Sequence, residues 1–218
     1  MLLEYPADFH IHTCLSPCAS DEMTPINILN MAKVMGTKIL GICDHNSAGN
    51  INAMLNMAQD YDILVIPGIE VQSIEEVHLL CLFESEDQVF KLQEYIYSAL
   101  PPVNNNPRLF GHQWLVDGIG NILGEENRML LTSTFLTVDE IAQKVHELQG
   151  LLIPAHVDKK HFSIIGQLGF IPENLKVDAV EFSKTTTKAN FEATFDNINE
   201  YTLITSSDAH CLEDMVYQ

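Results

Sequence analysis

The feature that most constrains this chain is an alternation. Short runs rich in β-branched residues take turns with longer segments whose apolar residues recur at helical spacing, the pattern of βα units around a parallel sheet or barrel. Seven runs read as strands: Tyr5 to His12, Lys38 to Cys43, Leu64 to Val71, Val77 to Phe83, Leu151 to His156, Ala179 to Ser183 and Leu203 to Ser207. Between them, Thr24-Pro25 opens a helical pattern through Ile28, Leu29, Ala32 and Val34, with Thr24 as N-cap, Pro25 in the first turn and Gly36 as the stop. Ser47 and Ser85 precede two more helices. The T-V-D-E at Thr137 puts Glu140 where a capping box needs it, in a helix that ends at Gly150.

Residues 101–135 break this rhythm with paired prolines, three consecutive asparagines, Gly-rich turns and the only Trp. The segment reads as an insertion on the rim with its own hairpin, either a surface excursion or a lid over a site. With no repeat, low-complexity tract or linker in view, residues 1–218 read as one barrel domain. At 218 residues and 46% hydrophobic content, the chain can bury a sizeable core.

Polar residues cluster at the strand ends. His10 and His12 close the first strand in A-D-F-H-I-H-T, and their i, i+2 spacing puts both imidazoles on one face of an extended chain. Asp44 and His45 follow the second strand in G-I-C-D-H-N, and Glu70 ends the third in I-P-G-I-E-V. His78 lies in the fourth, E-V-H-L-L-C-L-F, and His156 ends the fifth in L-I-P-A-H-V-D. Asp208 and His210 end the seventh in I-T-S-S-D-A-H. In a barrel, side chains at the C-terminal strand ends converge on the mouth, so six of the nine histidines are placed to meet.

A lone histidine at a strand end is an ordinary hydrogen-bonded residue, but that account must hold independently at six positions. Crowded neutral imidazoles leave ring nitrogens unsatisfied, whereas a Zn, Mn or Fe ion makes the crowding favourable. Glu70 or Asp208 could bridge two such cations. His146, in a helix, and His112 and His161 fall outside the set and read as surface residues.

Taken in order, D-F-H-I-H, C-D-H-N, G-I-E-V, the lone histidine of the fourth strand, P-A-H-V-D and S-D-A-H resemble the PHP (polymerase and histidinol phosphatase) family of metal-dependent phosphoesterases, over nearly the whole chain. The resemblance implies a distorted seven-stranded (β/α)7 barrel of the TIM-like kind. It also implies a cluster of two or three divalent metals (Zn, Mn or Fe) and hydrolysis of phosphate esters. His10, His12, His45, Glu70, His78, His156, Asp208 and His210 match ligand positions, and Asp8 and Asp44 match acidic residues that orient the histidines.

One departure stands out. Members commonly place an Asp or His shortly after the first two histidines to serve a third metal, where this chain reads S-P-C-A-S-D-E-M. Cys18, Asp21 and Glu22 are the candidates, with Glu22 preferred.

The chemistry expected is metal-assisted hydrolysis of a small phosphomonoester, a nucleotide or an oligonucleotide end. His156, Asp208 and His210 stand nearest the reacting groups, and Lys159 and Lys184 are candidates to hold phosphate oxygens. Two other readings use the same residues: an amidohydrolase acting on a C–N bond, which a carboxylated lysine bridging the metals would favour, and a non-catalytic metal-binding regulatory module.

A formal charge of -19 argues against a broad nucleic-acid-binding surface or an anionic-membrane surface, since both need Lys and Arg. No apolar run is long enough to span a bilayer, the N-terminus lacks a signal-peptide pattern, and the five cysteines are odd in number and scattered, which together point to a cytoplasmic protein with free thiols. The chain continues only eight residues past His210, so the barrel either closes on a stub, with L-E-D-M-V-Y-Q as a final helix of at most two turns, or is part of a longer protein.

Overall fold

In a computed structural model that describes residues 3–195 and 198–215, all seven expected strands are present within a residue or two of their expected limits. The first half runs β1 (Ala7–Ile11), α1 (Pro25–Met35), β2 (Ile39–Ile42), α2 (Ile51–Ala58), β3 (Leu64–Gln72), β4 (His78–Leu82) and α3 (Glu86–Ala99). The insertion supplies a one-turn helix, α4 (Pro107–Phe110), and the expected hairpin, β5 (Trp114–Val116) with β6 (Ile122–Glu125). The rest is α5 (Val138–Glu147), β7 (Leu151–Pro154), α6 (Ile164–Leu168), β8 (Val180–Ser183), α7 (Lys188–Thr194) and β9 (Leu203–Ser206). Of the expected final helix the described part is a single 3₁₀ turn, Leu212–Asp214; residues 216–218 lie outside the described residues.

The distorted seven-stranded (β/α)7 barrel is met only in part. The strands form a five-stranded sheet in the order β1-β2-β3-β4-β7 and a separate parallel pair, β8-β9. Both edges of the sheet turn towards that pair, which is what curls it into a half barrel. At one edge His12 N donates to Ala209 O (3.0 Å) and Ala209 N to His10 O (3.3 Å); at the other, Asp178 N donates to Leu152 O and Val157 N to Glu181 O (both 2.9 Å).

The βα alternation also fails once. β3 and β4 are antiparallel neighbours joined by a turn at residues 73–77, and β4 pairs antiparallel with β7. Five residues are too few for a crossover helix, so the chain reverses. β4 therefore runs against β1, β2 and β3, and His78, its first residue, lies at the end of the sheet where those strands finish, opposite Gln72.

The helices pack their apolar stripes outside the sheet. Ile28, Leu29 and Ala32 of α1, Met54 of α2, Val89, Leu92 and Ile96 of α3, and Ile141 and Val145 of α5 are all buried with sheet residues such as Leu40, Ile69 and Leu79. The helix ends follow local chemistry. Thr137 and Glu140 form the reciprocal capping box, with Thr137 N donating to Glu140 Oε2 at 2.8 Å and Glu140 N to Thr137 Oγ1 at 3.2 Å. Gly36 ends α1 at φ 79°. Two expected starts differ: the Thr24 hydroxyl makes no capping bond, and α2 begins after Asn50 because the Ser47 hydroxyl is held by Gln93 and Tyr97.

Candidate metal centre

The strand ends deliver eight of the expected ligands to one place. His10, His12, His45, Glu70, His78 and His156 are buried, and Asp208 and His210 are half-buried beside them. Seven of them form three overlapping groups of donor atoms, each within 4.8 Å: His10–His12–Asp208, His45–Glu70–His78 and His12–His45–His210; His156 joins through Nε2, 3.4 Å from Glu70 Oε1. Glu70 lies at the centre, with Oε1 2.9 Å from His78 Nδ1 and Oε2 2.9 Å from His45 Nδ1.

Hydrogen bonds on the far side of the rings fix their tautomers. The Ser16 hydroxyl donates its one proton to Asp44 Oδ1 (2.7 Å), so its oxygen accepts from His12 Nδ1 (3.0 Å) and from the His45 amide (3.2 Å). His10 Nδ1 donates to Glu181 Oε2 at 3.1 Å. Both assignments leave an Nε2 lone pair facing inward, and the two Nε2 atoms lie 3.1 Å apart. Lone pairs at that distance repel unless a proton or a metal cation lies between or beside them.

The electrostatics tell the same story. Burial lowers His10, yet the carboxylates of Glu181, Asp208 and Glu70 outweigh it and hold this imidazole well above its ordinary value. In His12 burial acts together with His210 and His45 and holds the ring well below it. Burial raises Glu70 and Asp208, but the neighbouring imidazoles, His78 and His10 foremost, bring both carboxylates far down. The centre demands positive charge that its histidines cannot all carry. Glu70 Oε2 and His156 Nδ1 are buried with no hydrogen-bond partner among the described residues. His156 and Asp208 both have positive φ, 32° and 51°, in which a side chain strains the backbone. Orphaned donors, facing lone pairs and strained ligand positions together fit a cluster of divalent cations.

Other expected residues separate. Asp44 does orient histidines, through Ser16. Asp8 does not reach an imidazole: its Oδ1 accepts from the amides of Ser207 (3.0 Å) and His10 (3.4 Å), filling the gap where β1 and β9 lack a regular ladder. Lys159 stands at the cluster, 2.6 Å from Asp208 Oδ2, and that carboxylate overcomes burial to raise its pKa. Lys184 is tied to Asp214 O at 3.1 Å and lines only a smaller cavity of 160 Å³ beside the centre.

Glu22 is not brought to the cluster. It is exposed with its backbone held by Ser20 and Asn27, and Asp21 accepts from Trp114 Nε1 (3.0 Å). Of the three candidates it is Cys18 that lines the main cavity, beside His45 and His210; burial raises its thiol, but those imidazoles bring it down to about 6.

Sequence reasoning missed Glu181 and Ser16. Glu181 is 1% exposed, and besides His10 it accepts from the His156 amide at 3.0 Å. A carboxylate inside the apolar strand V-E-F was the available signal.

The centre opens into a cavity of about 710 Å³. The insertion forms part of its wall through Phe110 and Leu131, facing Phe162, Lys160 and His161 across the opening. The insertion is anchored rather than loose: Trp114 N donates to Cys14 O at 3.0 Å, and Asn46 Nδ2 bonds both Leu130 O and Thr132 O at 2.9 Å.

This is the architecture of an α/β protein with a histidine-rich metal centre at the mouth of a curled sheet. No protein-family model matches the chain, and no curated protein does. Solved structures do. The lesion-specific endonuclease PfuEndoQ from Pyrococcus furiosus superposes with a TM-score of 0.73 at 21% identity, over 95% of this chain and 49% of its own, so the chain spans about half of that protein's length. An amidohydrolase from Chromobacterium violaceum, bound to sulfate without metal, gives 0.64 at 14% identity over 98% and 90%. A candidate metal-dependent phosphoesterase from Bifidobacterium adolescentis gives 0.63 at 14% identity over 95% and 89%. The fold is shared with these solved structures, which supports the fold expected from the motifs.

Proposed function

We propose that this chain is a metal-dependent hydrolase that cleaves a phosphate ester, either a small phosphomonoester, a nucleotide or an oligonucleotide end. The observation that carries the reading is the centre itself: seven expected ligand positions fall into overlapping donor groups, His156 stands 3.4 Å from Glu70, and His10 and His12 turn Nε2 inward, beside a cavity large enough for a substrate. A structural zinc site closes with four ligands and has no use for an open cavity, which argues against the non-catalytic module. Divalent cations, if held by these residues, would supply a more acidic water and neutralising charge for phosphoryl oxygens.

The chain's own groups then bind, orient and exclude. Glu181 and the Asp44–Ser16 pair keep His10 and His12 turned inward. Lys159 Nζ, on the cavity side of Asp208, supplies a charge for a non-bridging phosphate oxygen, and Phe110 and Phe162 offer apolar walls for the rest of the substrate. An endonuclease and a phosphoesterase are among the similar structures, which agrees with this substrate class.

The amidohydrolase reading is favoured by one of the similar structures, and a carboxylated lysine would be its mark. Lys184 is bound to Asp214 away from the main cavity, and Lys159 is ion-paired with Asp208, so neither bridges the metal positions.

The test is a panel of phosphomonoesters, nucleotides and 5′- or 3′-phosphorylated oligonucleotides, presented to protein of verified Mn or Zn content. Turnover of at least one phosphoester, abolished in a folded His156→Ala variant, is the expected result. A metal-replete protein that turns over an amide and no phosphoester overturns the reading.

A further inference from the structure

The three donor groups of the centre are not alike. His10–His12–Asp208 and His45–Glu70–His78 each contain a carboxylate, whereas His12–His45–His210 contains three imidazoles and no anion. Its nearest carboxylates, Glu70 at 2.9 Å from His45 Nδ1 and Asp208 at 3.6 Å from His210 Nδ1, already belong to the other two groups, so a cation among the three imidazoles has no anion of its own.

The loop after β1 supplies what is missing. Its residue Ser16 is bonded to His12 Nδ1 and to the His45 amide, Ala19 N donates to Ser16 O at 2.8 Å, and Ser20 N donates to His210 O at 2.8 Å. The loop is thus pinned at one end to two of these histidines and at the other to the third. Cys18 lies midway, exposed at the cavity beside His45 and His210. Asp21 is engaged by Trp114 and Glu22 is outside the cavity lining, so Cys18 is the group of this loop free to act.

We propose that Cys18, as a thiolate, is a ligand of a third cation position completed by His45 and His210, and that this position selects zinc over manganese. The inference rests on the metal-dependent reading above. On binding, the S–H bond breaks, a sulfur–metal bond forms and the proton leaves to solvent. Thiolate is a soft donor, suited to Zn and poorly suited to Mn, whereas the two carboxylate-containing groups accept either.

The experiment uses the full chain stripped with a chelator and reloaded with Co(II) or Zn(II). Wild-type protein loaded with Co(II) is expected to show a near-ultraviolet sulfur-to-cobalt charge-transfer band. Cys18→Ser is expected to lose that band and one equivalent of Zn per chain, and Cys18→Asp to recover the equivalent without the band. Because Cys14, Cys43 and Cys81 are buried and Cys18 is exposed, the serine variant leaves the core untouched.

If Cys18→Ser keeps both the band and the full Zn content, the assignment of Cys18 is overturned while metal binding stands. If the wild-type chain retains neither ion, the metal-dependent reading itself falls.

Discussion

At the scale of single residues, the centre depends on side chains that touch no cation position. Glu181 fixes the inward tautomer of His10 and holds the His156 amide. Such partners typically contribute a factor of about 10–100 in metal affinity. Glu181→Ala is therefore expected to weaken Zn binding by about that factor in a chelator competition, with circular dichroism unchanged; undiminished affinity would remove the orienting role. Ser16→Ala is expected to act in the same direction through His12. These two residues mark the limit of what the sequence discloses. The eight converging residues were legible because each stands within a few residues of a strand limit, where the periodicity places it. Ser16 was not, because a hydroxyl in a loop carries no periodic signal, and Glu181 was not, because strand character at V-E-F drew attention away from the charge. Cys18 rather than Glu22 follows from the path of the loop past Ser16 and Ser20, which spacing alone does not encode.

At the scale of elements, strands and helices were legible and their directions only partly so. Every expected strand exists, yet the βα rhythm hid the reversal of β4, whose physical signal is the shortness of the turn between Gln72 and His78. The reversal has a use: it brings a histidine at the start of a strand to the same mouth as histidines at the ends of others. The insertion is an element in its own right, and its seating can be tested. Gly111 has φ 95°, and a Cβ there would meet Pro17 O at 2.1 Å, so Gly111→Ala combines a disfavoured conformation with a clash. A loss of about 1–3 kcal/mol is expected in chemical denaturation, accompanied by weaker substrate binding, since Gly111 follows the cavity residue Phe110. By contrast Thr137→Ala, which removes the cap of α5 far from the cavity, is expected to cost about 1 kcal/mol and leave turnover unchanged.

At the scale of the whole molecule, the centre joins both edges of the curled sheet to the β8–β9 pair, so cation binding and folding are linked. Ligands that bind only the folded state stabilise it by about 2.7 kcal/mol at 100 times their Kd. Zn or Mn is accordingly expected to raise the melting temperature and a chelator to lower it; identical melting curves would contradict a site that exists only in the fold. The sign with pH follows from the ligands. Imidazoles bind cations only when neutral, so this added stability is lost as pH falls, and because the carboxylates hold His10 well above the ordinary histidine range of about 6.5, the loss begins above that range. Among the described residues no helix is long and apolar enough to cross a membrane. How far the distorted barrel closes was the least legible feature, because closure is decided by hydrogen bonding at two seams, and one of them has only a short backbone bridge, supplemented by the side chain of Asp8.

The loop from Thr13 to Ser20 has a consequence for how this protein can change. Asp44 holds Thr13 and Ser16, Ser16 holds His12 and His45, and Ser20 holds His210, so one short stretch of chain sets the placement of three histidines at once. Substitutions within it cannot be independent: once one tether is cut, the positions that the others defend are already displaced. Double-mutant cycles between Ser16 and Asp44 should show a combined loss smaller than the sum of the single losses. In evolutionary terms the loop is a single heritable character. A single exchange at Thr13 or Ser16 strains the tethers that remain, whereas exposed Cys18 can change without cutting one.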